Sequence, residues 1–332
     1  MITIQTDSKL KEIVVYDFDK HSMPNLCMPA LEAIASRVTV VKTPDDFTGM
    51  LEKADLRDAE AIITRVFDDF SFLPDRAPRL RYVGTCHTDT SHFPLEKLKS
   101  LGVTVTNVPG YAAASVAELT LGVLLSLSRH IPSAFEHVAQ GGWDVQRFMG
   151  RELGGRTIGI VGPGAIGGRV AKAAQALGMH VVTHSRNLSA NSEYPRLPLD
   201  ELLSSSDVVV VSVPLTSSTR GLLSHERIQL LNKDAILLVP ARSETVDCSA
   251  LLDRCRSGDL TVWFDELQDA DLRDVFRSLP NVFLTPDYGW LTREALDRQE
   301  AMAIGNILQW HETESKRGSV RASSPDSIPS EV

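Results

Sequence analysis

Short apolar and β-branched runs recur along the first hundred residues, at Ile13–Tyr16, Val38–Val41, Ala61–Thr64, Arg81–Gly84 and Val103–Thr106. Amphipathic stretches, Pro and Gly lie between them. Runs of this length alternating with helical periodicity predict parallel strands joined by crossover helices. From Ala112 to His130 the chain is almost continuously apolar, which predicts a helix buried at a domain or subunit interface. A second series begins at Thr157, with strands predicted over Thr157–Val161, His180–Thr183, Val208–Val213, Ala235–Val239, Thr261–Phe264 and Val282–Leu284. Six strands with crossovers match a full Rossmann unit. Helical periodicity returns after Leu291. Ser, Pro, Lys and Glu then dominate, and residues 313–332 read as a disordered tail. The expected fold class is α/β, with two Rossmann-like or flavodoxin-like domains on parallel sheets.

Length and charge narrow the picture further. A chain of 332 residues suits two domains. A net charge of −9 offers nothing that would draw nucleic acid or anionic lipid. No apolar run is long enough to span a bilayer, and the N-terminus lacks the apolar core of a signal peptide. The four cysteines, Cys27, Cys86, Cys248 and Cys255, show no metal-type spacing. Reduced thiols in a cytoplasmic protein without a structural metal are the simplest reading.

The chemistry-bearing motif follows the strand Ile158–Val161. The chain runs directly into Gly162-Pro163-Gly164-Ala165-Ile166-Gly167 and then into a helix. This is G-x-G-x-x-G in its strand–turn–helix setting. Gly162 permits the tight turn, Gly164 lets backbone approach a pyrophosphate, and Gly167 allows close helix–strand packing. The helix N-terminus offers free N–H groups to phosphate. An NAD-preferring site ends the next strand with Asp or Glu for the ribose 2′-OH. Here that strand ends in Ser185-Arg186, a hydroxyl and a guanidinium that suit a 2′-phosphate. The expected cofactor is NADP(H) in preference to NAD(H).

Several ordered segments extend the pattern: Val105-Thr106-Asn107-Val108-Pro109-Gly110-Tyr111, Ser115-Val116-Ala117-Glu118-Leu119, Met149-Gly150-Arg151-Glu152-Leu153, Pro214-Leu215-Thr216 with Thr219-Arg220-Gly221-Leu222, Ala241-Arg242, Val246-Asp247, Leu279-Pro280-Asn281-Val282 and Leu284-Thr285-Pro286. With the glycine turn, they make the chain from about Leu80 to Ile307 resemble the D-isomer-specific 2-hydroxyacid dehydrogenases. The resemblance implies an oxidoreductase acting on a 2-oxo or 2-hydroxy acid, or on a specialised relative of one. It implies a substrate domain of residues 1–107 plus 291–312, a dinucleotide domain of residues 108–290, an active site in the cleft between them and a homodimer. It places Pro214, Thr219, Ala241 and Asp265 beside the cofactor, Asp265 at the nicotinamide carboxamide.

The family's catalytic set is an Arg, a Glu and a His. The Arg falls on Arg242, where a guanidinium can clamp a carboxylate and polarise a 2-oxo group. The His position, after Leu-Thr-Pro, holds Asp287. The Glu position holds Ala270, with Asp269 and Asp271 beside it; either could shift in, and Asp269 is the first candidate. The family's glycine-rich turn after the fourth strand reads Thr85-Cys86-His87-Thr88-Asp89 here. His87 and Thr88 in that turn, and Arg65 after the third strand, are candidate substrate contacts, with His87 also a candidate substitute acid. If Asp287 faces Arg242, the cation is expected to lower its pKa and leave it an anion unable to donate a proton. An alternative reading is therefore a cofactor-binding member with lost or changed hydride chemistry.

Overall fold

The computed structural model describes residues 9–18, 28–43, 49–186 and 193–322, with side chains as far as residue 316. The chain divides into two compact units, Met1–Tyr111 with Leu296–Val332, and Ala112–Ala295. Cys27 lies outside the described residues.

In the first unit, strands β1 (Ile13–Phe18), β2 (Val38–Thr43), β3 (Ala61–Thr64), β4 (Tyr82–Thr85) and β5 (Thr104–Thr106) form one sheet. Its order is β2-β1-β3-β4-β5 and every pair is parallel. Strands β3 and β4 are buried along their whole length, as expected of strands covered on both faces. The helix Arg293–Ala322 supplies the unit's C-terminal element from Leu296 onward. It corrects the expected tail. Residues 313–322 are helical, held by a Lys316–Glu312 pair one turn apart and by Glu314 on Arg81, at 2.7 and 2.9 Å. Glu, Lys and Arg are good helix formers, so their abundance did not signal disorder here. Residues 323–332 lie outside the described residues.

The second unit holds β6 (Thr157–Val161), β7 (His180–His184), β8 (Val208–Val211), β9 (Ala235–Arg242), β10 (Leu260–Glu266) and β11 (Val282–Leu284). The order β11-β10-β9-β8-β6-β7 is parallel throughout. Arg196 adds a single parallel bridge to Thr183 on the outer side of β7, where a doubly wound sheet places its third strand. The reversal of strand order falls between β6 and β8, so the crevice at their C-terminal ends is the binding position for this topology.

Alternation along the strands builds two cores. Val209, Val211, Leu237, Val239, Val262 and Phe264 face one way. Ile158, Ile160, Val210, Leu238 and Trp263 face the other. The second core is covered by the helix Gly167–Ala176 and by the apolar helix Ala113–Ser128, through Ala117, Leu124 and Leu127. That packing within the second unit accounts for much of the helix's apolarity. Among the described residues, no helix is long and apolar enough to cross a membrane.

Candidate active site

The glycine turn has the geometry its sequence demands. Gly162 has φ +90°, which an L side chain rarely adopts, and a Cβ there would meet Val213 Cγ1 at 2.6 Å. A Cβ on Gly167 would meet the Gly162 carbonyl at 2.4 Å and Ser212 Oγ at 2.5 Å. A Cβ on Gly164 would meet nothing within 4 Å. Gly162 and Gly167 are therefore glycines for the protein's own packing, whereas space is left open above Gly164. Gly164 and Ala165 are exposed, Ile166 is the N-cap, and the ten-residue helix Gly167–Ala176 starts behind them. An open, dipole-backed cradle of this kind fits a dinucleotide pyrophosphate.

The neighbouring loop is shaped by Thr219. This buried residue accepts the Thr216 N–H at 2.8 Å and donates to the Pro214 carbonyl at 2.6 Å, stapling Pro214–Thr219 at the end of β8. Arg186 is exposed at the end of β7, next to Ser185, and its Nη1 donates to Ser218 Oγ in the same loop. The guanidinium thus stands across the mouth between β7 and the Pro214–Thr219 loop. Ala241 and Arg242 close β9, both partly buried.

Strand β10 carries the feature that motif reading missed. Its pairing with β9 shifts register between Phe264 and Glu266, so that Glu266 pairs with Arg242. A bulge of this type re-aims side chains. Asp265 turns toward the loop after β11, accepting from Thr285 Oγ1 at 2.8 Å, Tyr288 N at 3.3 Å and Gly289 N at 3.0 Å. Gly289 fits closely there, since a Cβ would lie 2.5 Å from Asp265 Oδ2. The Asp265 carbonyl also accepts the Asp287 N–H at 2.7 Å. Asp287 sits in the left-handed region at φ 51°, uncommon for a non-glycine residue, and its carbonyl accepts Trp290 Nε1 at 2.8 Å.

Arg242 is shared by two carboxylates. Glu244 Oε1 lies 3.3 Å from its Nη2, and Glu266 Oε2 lies 3.3 Å from its Nε. The two glutamates differ in charge preference. Burial pushes Glu244 up, but its own backbone N–H and Arg242 outweigh that and hold it below the usual range. Burial pushes Glu266 up, and the Glu244 and Asp287 charges add to it, against Arg242. Asp287 is likewise raised, by desolvation first and by the Asp265 charge second, with Arg242 opposing. This corrects the expected lowering. The residue is exposed at the surface, but protein crowded around its carboxyl removes more hydration than the guanidinium returns.

The other expected residues have different employment. Asp269 is the N-cap of the helix Ala270–Phe276, accepting Leu272 N at 2.9 Å, and Glu266 is the carboxylate that reaches Arg242. Arg65 is buried in the first unit and paired with Glu300, with Asp17 3.8 Å away, so it is a packed ion-pair member rather than a reaching surface arginine. His87 Nε2 lies 2.6 Å from the Arg65 carbonyl, and burial lowers its pKa, which disfavours the protonated imidazolium that a proton donor would need. Thr88 Oγ1 donates to the Val108 carbonyl at 3.4 Å. Glu266 was legible only as the residue after Asp265; no spacing rule pointed to it.

The family described as "D-isomer specific 2-hydroxyacid dehydrogenase, NAD binding domain" matches residues 121–289. A glyoxylate reductase of Aeropyrum pernix is 33% identical over 290 residues, covering 80% of this chain and 83% of that protein. The TT0316 protein of Thermus thermophilus superposes with a TM-score of 0.79 at 31% identity, covering 90% of this chain and 96% of that one. A D-lactate dehydrogenase of Aquifex aeolicus, solved with NAD and lactic acid, superposes with a TM-score of 0.78 at 26% identity, covering 92% and 98%.

Proposed function

Because the chain belongs to the D-isomer specific 2-hydroxyacid dehydrogenases and is thus an NAD(P)-dependent oxidoreductase, we propose that it is an NADP(H)-preferring reductase of small 2-oxo acids in which Asp287 replaces the usual histidine acid. The observation that carries this reading is the place of Asp287 after β11, its N–H held by the Asp265 carbonyl at 2.7 Å and its carboxyl pKa raised by desolvation against the Arg242 charge. The nicotinamide supplies the hydride when bound. Arg242 orients and polarises the oxo acid, and Asp287 gives a proton to its oxygen. Reduction then needs a protonated carboxyl, so kcat/KM is highest on the acid side and falls as pH rises through the raised pKa. The test is NADPH oxidation over 2-oxo acids such as glyoxylate, with aldehydes and imines alongside, across pH. Turnover that peaks at low pH supports the assignment. Tight NADPH binding without turnover would instead favour altered hydride chemistry, a reading to which the Glu244 contact on Arg242 lends weight, since a substrate carboxylate must compete with it.

The cofactor preference rests on Arg186 and Ser185, with Ser218 positioning the guanidinium. A charge-assisted contact to a 2′-phosphate contributes about 1.5–3 kcal/mol, and the exposure of Arg186 places it toward the lower end, roughly tenfold in affinity. Arg186→Ala should erase most of the difference between NADPH and NADH dissociation constants, measured by fluorescence titration. Tighter NADH than NADPH binding by the unaltered protein would refute the preference.

We also infer a homodimer formed by the segment after the helix Ala113–Ser128. Phe135, Trp143, Val145 and Met149 are 74–85% exposed, a concentration of large apolar side chains unusual for a free surface. A second copy of this segment, burying them reciprocally, accounts for it. The double variant Phe135→Asp, Trp143→Asp should run as a monomer in light scattering where the unaltered protein runs as a dimer. A monomeric unaltered protein would remove the basis for this assignment. None of the described cysteines, Cys86, Cys248 and Cys255, is in a disulfide, which fits a reducing, cytoplasmic compartment.

A further inference from the structure

We propose that Asp265 is the positioning residue of the acid: its carboxylate clamps residues 285–289 and so fixes where Asp287 stands. The inference rests on the reading of Asp287 as the acid. It gives Asp265 an employment other than the carboxamide contact that the family resemblance implies. After β11 the chain folds back along the end of β10. Two main-chain bonds continue the pairing, from the Thr285 N–H to the Phe264 carbonyl at 3.0 Å and from the Asp287 N–H to the Asp265 carbonyl at 2.7 Å. The donors that follow turn to the Asp265 side chain. Its Oδ1 accepts the Tyr288 N–H at 3.3 Å and its Oδ2 the Gly289 N–H at 3.0 Å. Oδ1 also accepts the Thr285 hydroxyl at 2.8 Å. That hydroxyl accepts Trp263 Nε1 at 3.0 Å, which leaves its own proton free to point at Asp265. Asp265 is 3% exposed, and a carboxylate buried to that degree needs donors on its oxygens. All three come from the chain around Asp287.

The backbone of Asp287 shows what the clamp does. At φ 51° it reverses the chain, so that the next two N–H groups point back at Asp265. A non-glycine residue keeps that conformation where its surroundings over-determine it. Here Asp265 holds the chain on both sides, at Thr285 before the reversal and at Tyr288 and Gly289 after it. Gly289 is shaped for the contact, since a Cβ there would lie 2.5 Å from Asp265 Oδ2 and 3.3 Å from Leu119 Cδ2. The clamp bears on the reaction in two ways. It sets the place of the acid, and a misplacement of about 1 Å can cost about 100-fold in rate. It also sets a negative charge near the acid. Asp265 on β10 favours the protonated form of Asp287, and Arg242 on β9 opposes it. Glu266, beside Asp265, interacts with Asp287 in the same sense as Asp265. With the Asp265 charge removed, Arg242 has less opposition and Asp287 gives up its proton at lower pH. Asp265 acts through Asp287, with no contact to substrate required.

The test compares Asp265→Asn, Gly289→Ala and Asp287→Asn in the full-length protein. Asp265→Asn keeps an acceptor for Thr285 and Tyr288, but it loses the charge and turns an amide donor toward the Gly289 N–H. Its kcat should fall about tenfold at neutral pH, and the alkaline limb of its pH profile should move about one pH unit toward acid. Gly289→Ala leaves the charge in place and pushes Asp265 Oδ2 away from the other side. Its kcat should fall about 10–100-fold, with the NADPH dissociation constant within about twofold of the unaltered value. Hydrogen exchange reads the clamp without turnover. The Asp287 and Gly289 amides should be protected in the unaltered protein and exchange about tenfold faster or more in both variants. An unmoved pH limb in Asp265→Asn overturns the proposal, and weaker NADPH binding beside it assigns Asp265 to the cofactor instead. Undiminished kcat in Gly289→Ala, or unprotected amides in the unaltered protein, also overturns it. Should Asp265→Asn not fold, Gly289→Ala decides through kcat and exchange. Any of these failures together with an inactive Asp287→Asn protein leaves the Asp287 reading standing. Full activity in Asp287→Asn overturns that reading and the clamp's part in catalysis with it.

Discussion

Asp287→Asn should lower kcat/KM for 2-oxo acid reduction by about 10²–10⁴-fold, the usual range for losing a positioned acid. Asparagine keeps the size of the side chain and can occupy the left-handed conformation at φ 51°, so the loop should fold as before. The Asp265 contacts to Thr285, Tyr288 and Gly289 do not involve the Asp287 side chain and should persist. Melting temperature and NADPH affinity are therefore expected to hold while turnover falls. Asp287→His should have a different signature. Imidazole titrates near 6.5 and an unperturbed carboxyl near 3.9, so the histidine variant should keep its activity to higher pH than the unaltered protein. The signs follow from the proton count: the donor must be protonated, and activity is lost as pH rises through its pKa. Undiminished kcat/KM across pH in the Asp287→Asn protein would show that another group, or water, delivers the proton.

Gly167→Val is expected to abolish cofactor binding and destabilise the second unit. Its Cβ would lie 2.4 Å from the Gly162 carbonyl and 2.5 Å from Ser212 Oγ, and both are fixed in the β6 turn and the end of β8. Backbone on one side and a hydrogen-bonded hydroxyl on the other leave little room to adjust. Overpacking of this type costs about 1–3 kcal/mol. It also displaces the helix N-terminus that faces the phosphates. Gly164→Ala is the informative control. Nothing lies within 4 Å of its Cβ, so melting temperature should be retained, whereas a methyl group in the phosphate approach should weaken NADPH binding. Calorimetry and fluorescence titration on the pair separate packing from ligand approach. Equal loss of stability in both variants would contradict this division of roles.

Local physics made much of this protein readable before folding was considered. The described strands show as short apolar runs, most plainly in β3 and β8, because strands covered on both faces take mostly apolar residues. The glycine turn shows because a tight turn, a close helix and an open phosphate approach each forbid a side chain at a definite position. Arg186 stands out because a strand end that lacks a carboxylate is conspicuous by its chemistry. These are properties of a residue and its immediate neighbours, so they survive being read in one dimension. Polar composition misled at residues 313–322, because the same Glu, Lys and Arg that suggest disorder are also good helix formers and continue the helix Arg293–Ala322.

Tertiary structure decided the direction in which each carboxyl's pKa moves and which glutamates reach Arg242. Glu266 reaches Arg242 because β9 sets two residues, Pro240 and Ala241, opposite the single Asp265 of β10, and which residues such a bulge pairs is decided by both strands together. Asp269, better placed by counting along the chain, is consumed as a helix cap. Asp287 feels the Arg242 charge as sequence reasoning expected, yet its pKa moves up instead of down. Its sign depends on two large opposing quantities, hydration lost and Coulomb attraction gained, and only the density of protein around the carboxyl sets which is larger.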